Sequence, residues 1–131
     1  MSDLNTVNLT NIILIESIFN RAWFIDYENE KFENKVDIDV DHGVSNNLLN
    51  VIVNVKFRGS IDDDVQISSD IKMVGIFEFE KIDETKVASF AKINGAAIIY
   101  PFIREHLTSL SIKAGLSPIL LSPVNFVNMS K

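Results

Sequence analysis

Alternation of apolar and polar positions dominates the first two thirds of the chain. Over residues 48–59, Leu49, Val51, Val53, Val55 and Phe57 take one parity and Asn50, Asn54, Lys56 and Arg58 the other, with Ile52 apolar among them. A period of two predicts a strand with one buried face. Residues 35–44 repeat the pattern: Val36, Ile38 and Val40 alternate with Asp37, Asp39 and Asp41, which sets carboxylates about 7 Å apart along one wet face. Residues 65–80 place Val65, Ile67, Ile71, Met73, Phe77 and Phe79 together, with Val74 and Ile76 on the other side. Residues 12–27 are apolar on both parities, Ile13, Ile15, Phe19, Trp23, Ile25 and Tyr27 against Ile12, Leu14, Ile18, Ala22 and Phe24. That pattern predicts a long strand with a bulge near Ser17, Asn20 and Arg21, and with part of its far side covered by another subunit. Short polar connections without helical periodicity predict an antiparallel meander.

The period then changes. Residues 83–91 predict a short helix carrying Val87 and Phe90, interrupted at Asn94 and Gly95. Residues 97–114 predict the main helix, with Ile99, Phe102, Ile103, His106, Leu107 and Leu110 as its apolar stripe and Arg104, Glu105, Thr108 and Ser109 facing away. Pro101 must then sit in the first turn or bend the helix, and Gly115 is the natural stop. The remainder, punctuated by Pro118 and Pro123, is apolar without a period and predicts an extended cover over sheet and helix. The sum is one α+β domain over residues 1–131: a four-stranded antiparallel sheet packed on one side by a long and a short helix.

Composition narrows the chemistry. A formal net charge of −6 offers no positive footprint for a nucleic-acid backbone. There is no cysteine, which excludes disulfides and thiolate sites. No apolar run approaches the ~20 residues a membrane helix needs, and the N-terminus lacks a signal-peptide pattern, so a cytoplasmic protein without membrane insertion is expected. The two histidines, His42 and His106, stand in no metal-ligand spacing. Asp62, Asp63 and Asp64 read as a solvated turn, and no nucleophile motif or phosphate loop occurs. The expectation is a non-enzyme with no metal and no cofactor. Two surfaces are left over: the acidic strand face, suited to a basic partner, and an apolar excess suited to a groove or a subunit contact.

The segments AIIYPFIREHLTSLSIKAG (residues 97–115) and LSPILLSPVNF (residues 116–126) resemble the SecB family of protein-export chaperones. The resemblance covers nearly the whole chain and is strongest in its last third. It implies ATP-independent holding of unfolded or nascent polypeptides before export, assembly into a homotetramer as a dimer of dimers, and hand-over to the motor SecA. It also implies a client groove from Phe102, Leu116, Pro118, Leu120, Pro123 and Phe126, with Asn125 in the same loop. Helix contacts would come from Tyr100, Ile103, Arg104, Glu105 and Leu107, together with Pro101. Asp37, Asp39 and Asp41 would form the acidic partner face. The chain stops at Lys131, soon after Phe126, whereas proteobacterial relatives continue into a further helix and polar tail. That ending weakens the expectation of SecA hand-over more than that of client holding. A dedicated chaperone or adaptor for one partner, such as an antitoxin, is the first alternative, and a small-ligand binder or enzyme using the cleft under the tail is the second.

Overall fold

The computed structural model describes residues 7–129. Strands β1 (Val7–Arg21), β2 (Phe32–Ser45), β3 (Leu48–Ile61) and β4 (Asp64–Phe79) form one antiparallel sheet in the order β1-β4-β3-β2. The last three make the expected meander. In the β3–β4 turn, Asp62 (φ 49°) and Asp63 (φ 66°) both take the left-handed conformation that a two-residue hairpin demands and that Asp tolerates better than most side chains. β1 departs from the meander: it pairs with β4, so residues 22–31 cross the end of the sheet to reach β2 on the opposite edge.

β1 also differs from the expectation in extent. It runs from Val7 to Arg21, not to residue 27, and its register shifts between Leu9 and Asn11 and between Leu14 and Glu16, not near Ser17 and Arg21. Arg21 ends it. Its guanidinium donates to the carbonyls of Ala114 (2.7 Å), Ala22 (2.9 Å) and Trp23 (3.0 Å), which turns the chain off the sheet and onto the end of the main helix. The two shifts explain the two-sided apolar pattern, because each extra residue switches parity. Leu9, Ile12, Leu14 and Phe19 therefore pair on the helix-facing side with Phe77, Gly75, Met73 and Ser69.

That side of the sheet is the core. Leu49, Val51, Val53, Val55 and Phe57 of β3 and Ile67, Ile71, Met73, Phe77 and Phe79 of β4 are buried, as the alternation indicates, while Val65 beside the turn is exposed. Each such side chain contributes about 1.5–3 kcal/mol relative to exposure.

One continuous helical run covers this face: α1 (Glu84–Phe90), a π-helical turn over Ala91–Gly95, and α2 (Ala96–Lys113). Asp83 starts it. Its carboxylate accepts from the Thr85 amide (3.0 Å) and hydroxyl (2.6 Å), and these bonds hold the carboxyl below the usual range. The break expected at Asn94 and Gly95 is absent; the helix widens there instead. Gly95 and Gly75 are the points of closest approach. An added Cβ would lie 2.9 Å from Val51 Cγ2 at the first and 2.7 Å from Ile99 Cδ1 at the second.

The buried stripe of α2 is Ala96, Ile99, Tyr100, Ile103, Leu107 and Ser111. It is rotated from the expected one: Phe102 is half exposed, and Tyr100 and Ser111 face inward. Pro101 lies past the first turn. Its missing N–H forgoes the bond to the Ala97 carbonyl, but both residues are exposed, so water satisfies that group. Gly115 (φ +76°) stops the helix as expected, with the Gly115 amide bonded to Ile112 O and the Leu116 amide to Ser111 O, each at 3.0 Å. A last turn, α3 (Phe126–Met129), follows the tail.

Candidate functional site

The tail over residues 116–125 is neither helix nor strand, yet side chains of α2 hold it firmly. Both backbone groups of Ile119 are occupied: Thr108 Oγ1 donates to its carbonyl at 2.6 Å, and its N–H donates to Ser111 Oγ at 2.9 Å. Ser111 is fully buried and itself donates to Thr108 O at 2.7 Å. The Tyr100 hydroxyl donates to Ser122 O at 2.8 Å, and burial raises its pKa, which keeps the proton needed for that bond. Leu116, Leu121 and Phe126 enter the core, Phe126 edge-on to Tyr100 with ring centroids 5.6 Å apart. These anchors leave Leu120 on the crest, 77% exposed.

A hollow lies on each side of this strap. One, with a volume of about 400 Å³, opens toward the end of the sheet and is lined by Tyr27, Phe32, Val36, Phe57, Pro118 and Leu120 among others. The other, of about 470 Å³, lies between the strap and the outer face of α2, against Pro101, Arg104, Glu105, Thr108 and Ile112. Leu120 and Leu121 line both. The segment from β1 to β2 adds more apolar surface: Trp23 is 97% exposed, Phe24 is exposed, and Tyr27 packs against Phe32 with ring centroids 5.4 Å apart. Arg21 fixes the start of this segment to the C-terminus of α2 through the three bonds described above. The hollows are open and mixed in lining. They offer burial of side chains rather than a converging acid, base and nucleophile.

Of the residues expected in a groove, Pro118 and Leu120 line the first hollow. Leu116 and Phe126 are buried in the core, Pro123 is exposed, and Phe102 stands half exposed on α2; these four line neither hollow. Tyr100, Ile103 and Leu107 are buried between helix and sheet. Arg104 lies 5.9 Å from the centre of the Tyr100 ring, and with Glu105 it lines the second hollow. Asp37, Asp39 and Asp41 form an exposed row on the sheet face away from the helices. His106 Nε2 is 2.8 Å from Ser17 Oγ, which ties α2 to β1.

The sequence pattern missed three groups. Trp23, Phe24 and Tyr27 were assigned to a strand, although Trp23 and Phe24 are adjacent and precede an acidic stretch without alternation. Thr108 falls on the outer helix face in the sequence pattern, which gives Ser111 no place on either face. Nothing local marked Arg21, whose role depends on Ala114, far away in the chain.

A family model described as Preprotein translocase subunit SecB matches residues 13–131. Protein-export protein SecB of Burkholderia lata is 24% identical over 133 residues, covering 96% of this chain and 82% of that protein. The Hyphomonas neptunium protein of the same name is 27% identical over 97 residues, and the match covers 70% of this chain and 58% of the Hyphomonas protein. Among solved structures, the Mycobacterium tuberculosis Rv1957 SecB-like chaperone, in complex with a ChAD peptide from the Rv1956 HigA1 antitoxin, has the same fold, with a TM-score of 0.83 and 15% identity over 93% of each chain.

Proposed function

This chain belongs to the SecB family, a non-catalytic class of polypeptide-binding chaperones, and on that premise we propose that it holds an extended, unfolded segment of a dedicated protein partner without ATP. The supporting observation is the strap crest. Leu120 is 77% exposed and shared by two adjoining open hollows, so one extended chain can lie across it and bury side chains on both sides. Such burial opposes folding of the partner by mass action and requires no chemical step. The dedicated reading draws on the Mycobacterium tuberculosis protein of the same fold, which was solved with an antitoxin peptide. A second reading is general holding of precursors for export with delivery to SecA, supported by the names of the Burkholderia and Hyphomonas relatives. The family's cytoplasmic setting accompanies either reading.

In both readings the working unit is an assembly of copies, with the apolar outer edge of β1 and the exposed Ile98 and Phe102 of α2 as contacts between them.

Aggregation assays with several denatured proteins and one disordered antitoxin segment, in the absence of nucleotide, separate these readings. A dedicated chaperone protects the antitoxin alone; an export holdase protects most of the set; protection of none ends both. Leu120→Asp is expected to weaken capture about tenfold or more while leaving stability within about 0.5 kcal/mol, because the residue is exposed. Unchanged capture removes the strap from the site.

A further inference from the structure

Two hydrogen-bonding side chains tie α2 to the edge strand β1 among the described residues: Arg21, bound to the Ala114 carbonyl, and His106, whose Nε2 lies 2.8 Å from Ser17 Oγ. Ser17 faces the helix because it pairs across the ladder with the buried Ile71, whereas its neighbour Glu16 pairs with Lys72 and points to the other face. Either neutral tautomer of His106 satisfies this contact, since Nε2 can accept the hydroxyl proton or donate its own. A protonated ring donates from both nitrogens and keeps the bond as well. What protonation changes is the charge.

That charge has no counter-ion. On β1, Glu16 lies on the opposite face and Arg21 is engaged with three carbonyls. On α2, Arg104 sits over the Tyr100 ring, Glu105 lines the hollow beside the strap, and Lys113 two turns further on is another cation. The helix-facing residues of β4 beside Ser17 are Ile67, Ser69, Ile71 and Met73, none of them charged. Both salt bridges among the described residues, Lys31–Asp62 and Arg58–Asp70, lie elsewhere. His106 Nδ1 makes no hydrogen bond among the described residues and reaches solvent, so a second N–H there depends on water.

The pair stands between the two sets of apolar residues through which copies meet. Ser17 lies between the exposed Ile15 and Ile18 of β1, and His106 lies one turn after the half-exposed Phe102 of α2. A copy seated on these side chains also covers His106 and strips the water from Nδ1. A neutral ring loses little with that water, whereas a charged ring loses its main solvation. We propose that His106 makes the assembly proton-sensitive: copies join through β1 and α2 while its ring is neutral, and acidification from pH 8 toward pH 5.5 parts them. Histidine is the side chain that changes charge over this range, while ordinary carboxylates stay ionised. Association then excludes a proton from each chain, so by linkage it weakens as pH falls. The overall charge works in the opposite direction. Protonating both histidines brings the formal charge of −6 two units nearer zero, which lowers repulsion between copies and would tighten their contact. The sign of the pH effect therefore identifies its source. This switch rests on the assembly of copies described above and adds a means of opening it.

The test follows self-association of the full chain by sedimentation at constant ionic strength. The dissociation constant is expected to rise about tenfold or more from pH 8 to pH 5.5. His106→Gln keeps a neutral polar group against Ser17 and should assemble equally well at both pH values. His42→Gln, altered on the opposite edge strand β2, should keep the parent's response. It also leaves His106 as the only imidazole in the chain. Its dilution from assembly to monomer at pH 6.5 should therefore take up protons, to a limit of about one per chain.

A dissociation constant that stays level or falls on acidification overturns the proposal, as does a response that survives His106→Gln. If His106→Gln fails to fold, dilution of His42→Gln without proton uptake overturns it instead. A chain that is monomeric at pH 8 removes the assembly reading and this proposal together, whereas an assembly that ignores pH removes this proposal alone. Aggregation suppression that persists in either case leaves the chaperone reading standing.

Discussion

β1 and β2 are the two open edges of the same sheet, and they answer the hazard of an unpaired strand in opposite ways. β1 exposes Leu9, Ile13, Leu14, Ile15 and Ile18, with two register shifts and no regular row of charge. β2 exposes Asp37, Asp39 and Asp41, with one outward amide capped by its own Asp41. An apolar edge is costly in water unless something permanent covers it, whereas a charged edge resists both self-pairing and aggregation. The contrast suits a stable contact between copies at β1 and a passing occupant at β2.

The strongest way to break this comparison is to put charge on β1. Ile13→Glu with Ile15→Glu is expected to abolish self-association, by about 100-fold or more in dissociation constant, with the monomer still folded because both positions are exposed. Sedimentation and circular dichroism check it, and an unchanged assembly would place the copy contact elsewhere. The converse is to make β2 resemble β1. Asp37→Val with Asp39→Val removes the like-charge penalty, and light scattering should show new higher oligomers at concentrations where the parent shows none.

A smaller effect is expected where β1 ends. Arg21→Ala leaves three carbonyls without that donor, at a cost of about 1–3 kcal/mol in denaturant unfolding. Trp23 fluorescence and peptide affinity should change with it. Arg21→Lys, which cannot reach three acceptors in one plane, is expected to restore only part of either.

The two edges were unequally legible in sequence. β2 was visible at once, because strict alternation of Asp with Val and Ile admits one interpretation, as did β3 and most of β4. β1 was legible as a strand but not in its limits. Its shifts at Thr10 and Ile15 mix the parities, and its end depends on a bond from Arg21 to Ala114 that no local pattern carries. Gly95 reads as a helix breaker by propensity, yet tertiary contact with Val51 overrides that reading. The strap was recognised as a cover. Which of its residues lie on the crest and which are buried depends on bonds to Thr108, Ser111 and Tyr100, which bring Leu120 up and Leu121 and Phe126 down. An unpaired edge is a property of strand order, and strand order was the part of the topology that the meander expectation misplaced.

The glycines at positions 75 and 95 let α2 seat against the sheet with no slack: a single methyl group at either would collide with Ile99 or Val51. Helix and sheet therefore behave as one fixed jaw, unable to slide or part without losing that fit. Bulky and slender cargoes must then be accommodated outside that seam, by the exposed rings of Trp23 and Phe24 and the raised side chain of Leu120, so the range of girths this protein can grip is set by how far those few side chains swing.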